Sequence, residues 1–387
     1  MSDLELDIGA FHVYDVLEKL DTQLKTGNPD LARYRQQLSF SVAGNDVKKA
    51  RAQNIEEEKT IRDKLEKYKV LRILERTWEL RPDRDWYVFV DTDTYIVRSN
   101  LMQWLGQFDP YEPAFFANPP DPDATNPYAV GGSTFILSRQ AMHDLFSKLR
   151  ENEMADWDTR VTNYRSSFDV LYSALHTHLK LGINNTWPSI NGFQPRTLSY
   201  GPDLWCEPVI AMHSVPIEIA SEIWRLERDR EGHNNDPLLF ADLWIHFVQS
   251  KNLTTARDDW DNLSSDVENA RWNILFEGVE LDARRGHRGD EEGRAANGEA
   301  SWEACQASCN NHEHCVQWSY SSIATPNYNE NGATRCHVSR GMRFGGHVEP
   351  KETTVDGKKQ KLTWKSGWRK DNFEKWARQQ RCKGQQS

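Results

Sequence analysis

No stretch of this chain approaches the roughly 18 consecutive apolar residues that a membrane-crossing helix needs, so the sequence offers no candidate span. Its first residues, Met1-Ser2-Asp3-Leu4-Glu5, lack the basic start and apolar run of a secretory signal. Basic charge is not in excess either. With 48 Lys and Arg against 58 Asp and Glu, the formal net charge is -10, which removes support for a nucleic-acid partner. Internal repeats are missing, so a solenoid is not expected. Paired C-x2-C spacing is missing too, which weakens a structural zinc site.

Aromatic residues, by contrast, are plentiful. Fifteen Trp and fifteen Phe among 387 residues exclude a disordered chain and supply large side chains for a core, some of them available as sugar-stacking platforms. The length suits one large domain and a small one. Cys305, Cys309, Cys315 and Cys336 cluster, Cys382 lies near the end, and Cys206 stands apart in the main body. A disulfide framework is the expected reading, because a short Gly- and Asn-rich segment needs covalent staples. His312, His314 and His337 keep a metal cluster as the alternative. Three N-x-S/T triplets, beginning at Asn184, Asn252 and Asn262, agree with an oxidising secretory compartment. From Arg340 onward lysines and arginines dominate; a solvated tail is the plain expectation, and contact with an anionic glycan or membrane surface the sharper one.

Periodicity predicts one or two helices between about Asp46 and Leu80, stopped by Arg81-Pro82-Asp83. Trp86-Tyr87-Val88-Phe89-Val90 reads as a buried central strand of an α/β sheet. Asp91 then opens the loop at its C-terminal end, where such sheets place ligands. Thr134 to Leu137 reads as a strand, Ser138 as the cap of a helix to about Leu149, and Phe168 to Leu181 as a further helix. Glu207 to His213 is a short strand ending in a polar residue. The charged, Gly- and Ala-rich stretch 281–300 has little to bury and is expected to be a linker, giving domains at 1–280 and 301–387.

The chemistry centres on Asp91-Thr92-Asp93. Moving a sugar from a nucleoside diphosphate requires stabilising a departing diphosphate, and a hard divalent cation on carboxylate oxygens does so without proton transfer. The same carboxylates could instead bond backbone N–H groups of a strand-end turn. His213, at a second predicted strand end, is either a structural histidine or, beside Asp93 and with diphosphate oxygens and water, a ligand of an octahedral Mn2+ site. Asp169, at a predicted helix start, is either a carboxylate favoured by the helix dipole or a general base for an acceptor hydroxyl. Gly131-Gly132 permits a tight turn or close backbone approach to a ligand.

In order and spacing these segments resemble glycosyltransferase family 31, the fringe and core 1 β1,3-galactosyltransferase group, especially its fungal members. The resemblance rests on Trp86 through Tyr95, Gly131 through Ser138, Phe168-Asp169-Val170 and Trp205 through His213, and covers roughly residues 3 to 250. It implies a GT-A-like, Rossmann-like mixed sheet flanked by helices, a manganese ion (or another divalent metal), a UDP-sugar donor, a glycan or glycoprotein acceptor, and β1,3 linkage with inversion. It makes Asp93 and His213 metal ligands, Asp169 the base, and Asp91, Thr92, Gly131 and Gly132 donor-side contacts. Where family members usually carry an acidic residue before the catalytic Asp, this chain has Phe168.

By the same likeness Ser2 to Glu5 corresponds to the segment after the family's second strand. The first β-α-β unit and the membrane anchor of a Golgi-lumenal type II protein are then expected to be absent from this chain. Residues 301–387 resemble a PAN/Apple module, which implies Cys309–Cys315 nested within Cys305–Cys336, with Cys206–Cys382 as a long-range pair, and a role in binding protein or glycan. The competing expectation is a catalytically impaired, glycan-binding relative.

Overall fold

The computed structural model describes residues 1–2, 4–44, 55–118, 134–230, 236–262, 301–323, 333–355 and 358–382. Along the chain, the hairpin β1 (Leu6–Ile8) and β2 (Phe11–Val13) precedes helices α1 (Thr22–Gly27), α2 (Ala32–Val42) and α3 (Ile55–Leu80). Next come β3 (Trp86–Phe89), β4 (Tyr95–Ile96), α4 (Arg98–Leu105), β5 (Phe115–Ala117) and β6 (Phe135–Ser138). Helices α5 (Arg139–Lys148), α6 (Glu151–Arg160) and α7 (Ser167–Leu179) lead to β7 (Asn184–Asn185), β8 (Ile190–Asn191) and β9 (Ala211–Met212). Then follow α8 (Ile217–Arg230), α9 (Phe240–Phe247), β10 (Arg257–Asp258) and β11 (Trp260–Asp261). The C-terminal part holds α10 (Trp302–Asn310), β12 (Gln317–Ile323), β13 (Ala333–Ser339) and β14 (Gly346–His347). It ends with β15 (Lys351–Val355), β16 (Lys358–Leu362), β17 (Trp364–Trp368) and α11 (Lys370–Ala377). The class is mixed α/β, with several small sheets.

The chain divides into two compact units. Unit 1 comprises residues 1–90, 108–119 and 135–185. Its sheet has the order β3-β6-β5-β7, antiparallel except for the β5–β7 pair. The strand expected over Trp86–Val90 is present as β3, but it stands at one end of that order and only Tyr87 is buried. Its paired side is β6; the sequence expectation of a central strand is corrected accordingly. A continuous aromatic run is thus compatible with a half-covered strand, because Trp86 and Phe89 find ring partners in Phe116 and Phe135.

Helix α3 buries Leu65, Tyr68, Leu71 and Leu74, at every third position, so the buried stripe winds round the helix. They share a core with Val170, Leu171, Ala174 and Leu175 of α7. Both ends of α7 are set locally. Ser166 accepts from the Asp169 backbone N–H, and Lys180 closes the helix in the left-handed conformation at φ 57°. The expected cap at Ser138 is also present, its hydroxyl accepting from Ala141 N–H at 3.1 Å.

Unit 2 comprises residues 91–107, 120–134 and 186–387. A three-stranded sheet, β4-β9-β8, lies in it beside a four-stranded one, β10-β17-β12-β13. The second sheet draws β10 from before stretch 281–300 and its other three strands from after it. Pairing of β11 with β14 makes the same connection. One core joins the two parts, with Trp205 and Trp244 meeting Phe373 of α11 at ring-centroid distances of 5.7 and 4.4 Å. Burying each such aromatic is worth roughly 2–3 kcal/mol, so the C-terminal segment is part of this unit's stability. The expected linker 281–300 lies outside the described residues.

All six cysteines are paired, as Cys206–Cys382, Cys305–Cys336 and Cys309–Cys315. This is the pairing implied by the PAN/Apple resemblance, and it excludes a cysteine-ligated metal cluster. Cys305, Cys309 and Cys315 are buried with Trp318 and Val338 in a small core between α10 and the sheet. Among the described residues, no helix is long and apolar enough to cross a membrane.

Candidate metal centre

The site is assembled by the antiparallel pairing of β4 with β9, which sets Tyr95 opposite Met212 and Ile96 opposite Ala211. Extending that register one step toward the start of β4 brings Thr94 opposite His213. The two side chains meet there, Thr94 Oγ1 lying 3.2 Å from His213 Nδ1. Asp93 Oδ1 is 3.3 Å from the same nitrogen. Asp91, Asp93 and His213 each offer a ligand atom, and these atoms all lie within 4.8 Å of one another.

Local backbone bonds hold this arrangement. Thr94 N–H donates to the Asp91 carbonyl at 3.1 Å, closing the turn over Thr92. Val215 N–H donates to the Asp93 carbonyl at 2.9 Å, and His213 N–H to the Asn191 carbonyl of β8 at 3.1 Å, so the Asp93 half is tied to the segment after β9 and His213 to β8. Ser214 takes φ 55°, a left-handed conformation that costs a β-carbon residue on the order of 1–3 kcal/mol. The strain sits directly after His213, where the chain leaves the sheet for α8.

Behind the site, Asn100 of α4 is buried and fully used. Its amide donates to the carbonyls of Val209 and Leu238 at 2.7 and 2.8 Å, and its oxygen accepts from Leu238 N–H at 3.1 Å. Tyr95 donates its hydroxyl to Glu227 of α8. Burial, and then that carboxylate, push the Tyr95 phenol well above its ordinary range. Sequence reasoning assigned no role to Thr94, Asn100 or Glu227. Strand alternation marks Thr94 only once the β4–β9 register is known.

The donor set, two carboxylates and an imidazole, could hold a metal ion. Asp91, Thr92 and Asp93 are solvent-exposed, while the His213 side chain is only 22% exposed. One ligand is therefore held partly within the fold, and the two carboxylates face solvent.

Asp169 belongs to unit 1. Its Oδ2 accepts from Ser166 N–H at 3.0 Å while its own N–H donates to Ser166 Oγ at 3.1 Å, a reciprocal helix cap. Gly131 and Gly132 lie outside the described residues. No known protein-family model matches the chain.

Proposed function

We propose that this chain is a divalent-metal-dependent glycosyltransferase of the GT-A type, taking a UDP-sugar (galactose or a related hexose) and forming a β1,3 linkage to a glycan or glycoprotein with inversion. The observation that carries this reading is the convergence of Asp91, Asp93 and His213 from sequence-distant segments onto one open edge. Asp93 and His213 would hold the ion, with Asp91 and Thr92 on the donor side. Bound there, a divalent ion offsets the charge that develops on the departing diphosphate.

In such a transfer the acceptor oxygen attacks the anomeric carbon as the bond from that carbon to the diphosphate oxygen breaks. The acceptor's proton needs a base, a role the family resemblance gives to Asp169. A single base without a second catalytic carboxylate agrees with direct displacement and inversion. The α10-on-sheet arrangement with two nested disulfides supports a PAN/Apple-like module at 301–387, to which we assign protein or glycan binding. Three disulfides suit the secretory pathway, and the Golgi lumen is the compartment this function needs.

A second reading, a glycan-binding protein without turnover, draws on Asp169, whose carboxylate is already engaged in the helix cap. UDP release from UDP-galactose and related donors, measured with candidate acceptors in Mn2+ and in EDTA, separates the two. Release only in Mn2+ supports the transferase. Glycan binding by calorimetry without UDP release under any condition selects the second reading.

A further inference from the structure

Two of the three N-glycosylation triplets lie only ten residues apart, Asn252-Leu253-Thr254 and Asn262-Leu263-Ser264, and the structure treats them in opposite ways. We propose that the folded protein carries an N-linked oligosaccharide on Asn252 and none on Asn262. This inference rests on the disulfide-bearing compartment, not on the transferase reading.

Asn252 is exposed in the loop between α9 and β10. Its main chain is held from within. Leu253 is buried, Thr254 Oγ1 donates to the Ala256 carbonyl at 3.1 Å, and Trp368 N–H donates to the Thr254 carbonyl at 3.1 Å. The Arg257 guanidinium, lying over the Trp260 ring at 4.5 Å, donates to the Asn252 carbonyl. Anchoring therefore uses the backbone and the neighbours, and leaves the exposed carboxamide to project a glycan without disturbing the core.

Asn262 is fully buried directly after β11. Its side-chain Nδ2 donates to the Trp318 carbonyl at 3.1 Å, its backbone N–H to Ser366 Oγ at 3.2 Å, and its carbonyl accepts from Gln317 Nε2 at 3.3 Å. Gly345 packs so closely that a Cβ there would lie 2.5 Å from the Asn262 Cα. A pyranose ring on Nδ2 would need the space filled by β12 and β17. Protein interiors are too densely packed to yield it.

N-glycosylation forms a bond from the carboxamide nitrogen to the anomeric carbon of a lipid-diphosphate-linked oligosaccharide. The bond from that carbon to the diphosphate breaks, the displaced amide proton passes to a base of the glycosylating enzyme, and the lipid diphosphate leaves. Both triplets are accessible before folding, so selection falls at the folding step. A chain modified at Asn262 cannot close β12 and β17 over that residue, whereas one modified at Asn252 folds unimpeded. The exposed acceptor Asn184 is compatible with a glycan as well, and the discriminating pair is Asn252 and Asn262.

The test is glycopeptide mapping of the full chain secreted from a eukaryotic host and recovered as folded, monodisperse protein. Enzymatic deglycosylation in heavy-oxygen water converts each glycosylated Asn to a labelled Asp, with the host's own secreted glycoproteins as the reaction control. Label at Asn252 in most molecules and none above background at Asn262 is the expected result. N252Q should lose one glycan step in intact mass with an unchanged melting temperature. Label at Asn262 in folded protein, or an unlabelled Asn252 beside labelled host glycoproteins, overturns the proposal.

Discussion

Asp93 and His213, 120 positions apart in sequence, face each other at 3.3 Å between Oδ1 and Nδ1. If the pair holds a divalent ion for catalysis, Asp93→Ala and His213→Ala should each lower Mn2+-dependent turnover by roughly two to three orders of magnitude, the usual cost of losing one electrostatic stabiliser of a leaving group. Mn2+ binding, followed by the loss of the free-ion EPR signal on titration, should weaken in both variants while the circular dichroism spectrum stays that of the parent. Undiminished Mn2+ affinity in both would remove the site.

Much of this arrangement is visible in the sequence for identifiable reasons. The strand before Asp91 is marked by aromatic and β-branched residues, and the helix cap at Ser138 follows from side-chain chemistry within three residues. The β4–β9 pairing is not visible. Each strand is two residues long, too short for alternation to register, and the partners are separated by more than a hundred residues. Strand β10 is hidden for a similar reason. Arg257-Asp258 carries no apolar signal, and it becomes a strand only because β17 offers its edge. A linker read from composition at 281–300 therefore says nothing about which strands share a sheet across it.

Asp169 has a structural role that must be separated from a chemical one. Asp169→Asn keeps an oxygen able to accept from Ser166 N–H, so the cap of α7 should persist and the melting temperature should move little. It cannot take a proton, so turnover should fall by about two to four orders of magnitude if Asp169 is the base. Asp169→Ala should also lose the half of the cap made by its carboxylate, at about 1 kcal/mol, while Ser166 Oγ still accepts from the backbone N–H of residue 169. Full activity in Asp169→Asn would exclude the base assignment.

The Tyr95–Glu227 hydrogen bond ties β4, immediately after the Asp91–Asp93 turn, to α8. Both residues are half-buried, so Tyr95→Phe leaves a partly desolvated carboxylate without this donor, at roughly 1.5–3 kcal/mol for a bond to a charged group. Chemical denaturation should show a lower midpoint at an unchanged slope. Tyr95→Phe with Glu227→Gln should recover part of the loss, because the remaining group is neutral. Equal stability of Tyr95→Phe and parent would show that the bond contributes nothing net.

Cys206–Cys382 closes a separation of 176 residues between the main body and the end of α11. Chain-entropy arguments put such a crosslink at about 5 kcal/mol through the unfolded state, as an upper figure. The double variant Cys206→Ser, Cys382→Ser should melt well below the parent. It should also be cleaved earlier by protease near α11, whose Phe373 and Trp376 pack on Trp205. An unchanged melting temperature would mean that this aromatic contact alone secures the terminus.

His178 gives unit 1 a pH dependence of known sign. Trp157 Nε1–H donates to His178 Nε2 at 3.0 Å, which requires that nitrogen unprotonated. Burial, followed by the charge of Lys148, holds the imidazole below its ordinary pKa; Arg160 and Lys180 act the same way and Glu153 opposes them. As pH falls, the unfolded chain takes up this proton before the folded one does. The stability is therefore whole above about pH 6.5, the unfolded value, and is lost as pH drops through it toward the folded value. Melting curves between pH 7.5 and about 5 should fall more steeply for the parent than for His178→Gln, whose amide oxygen accepts from Trp157 without titrating. Parallel curves would show that the ring is protonated in the folded protein at no cost, and the Trp157 bond would then have no part in the acid lability of this unit.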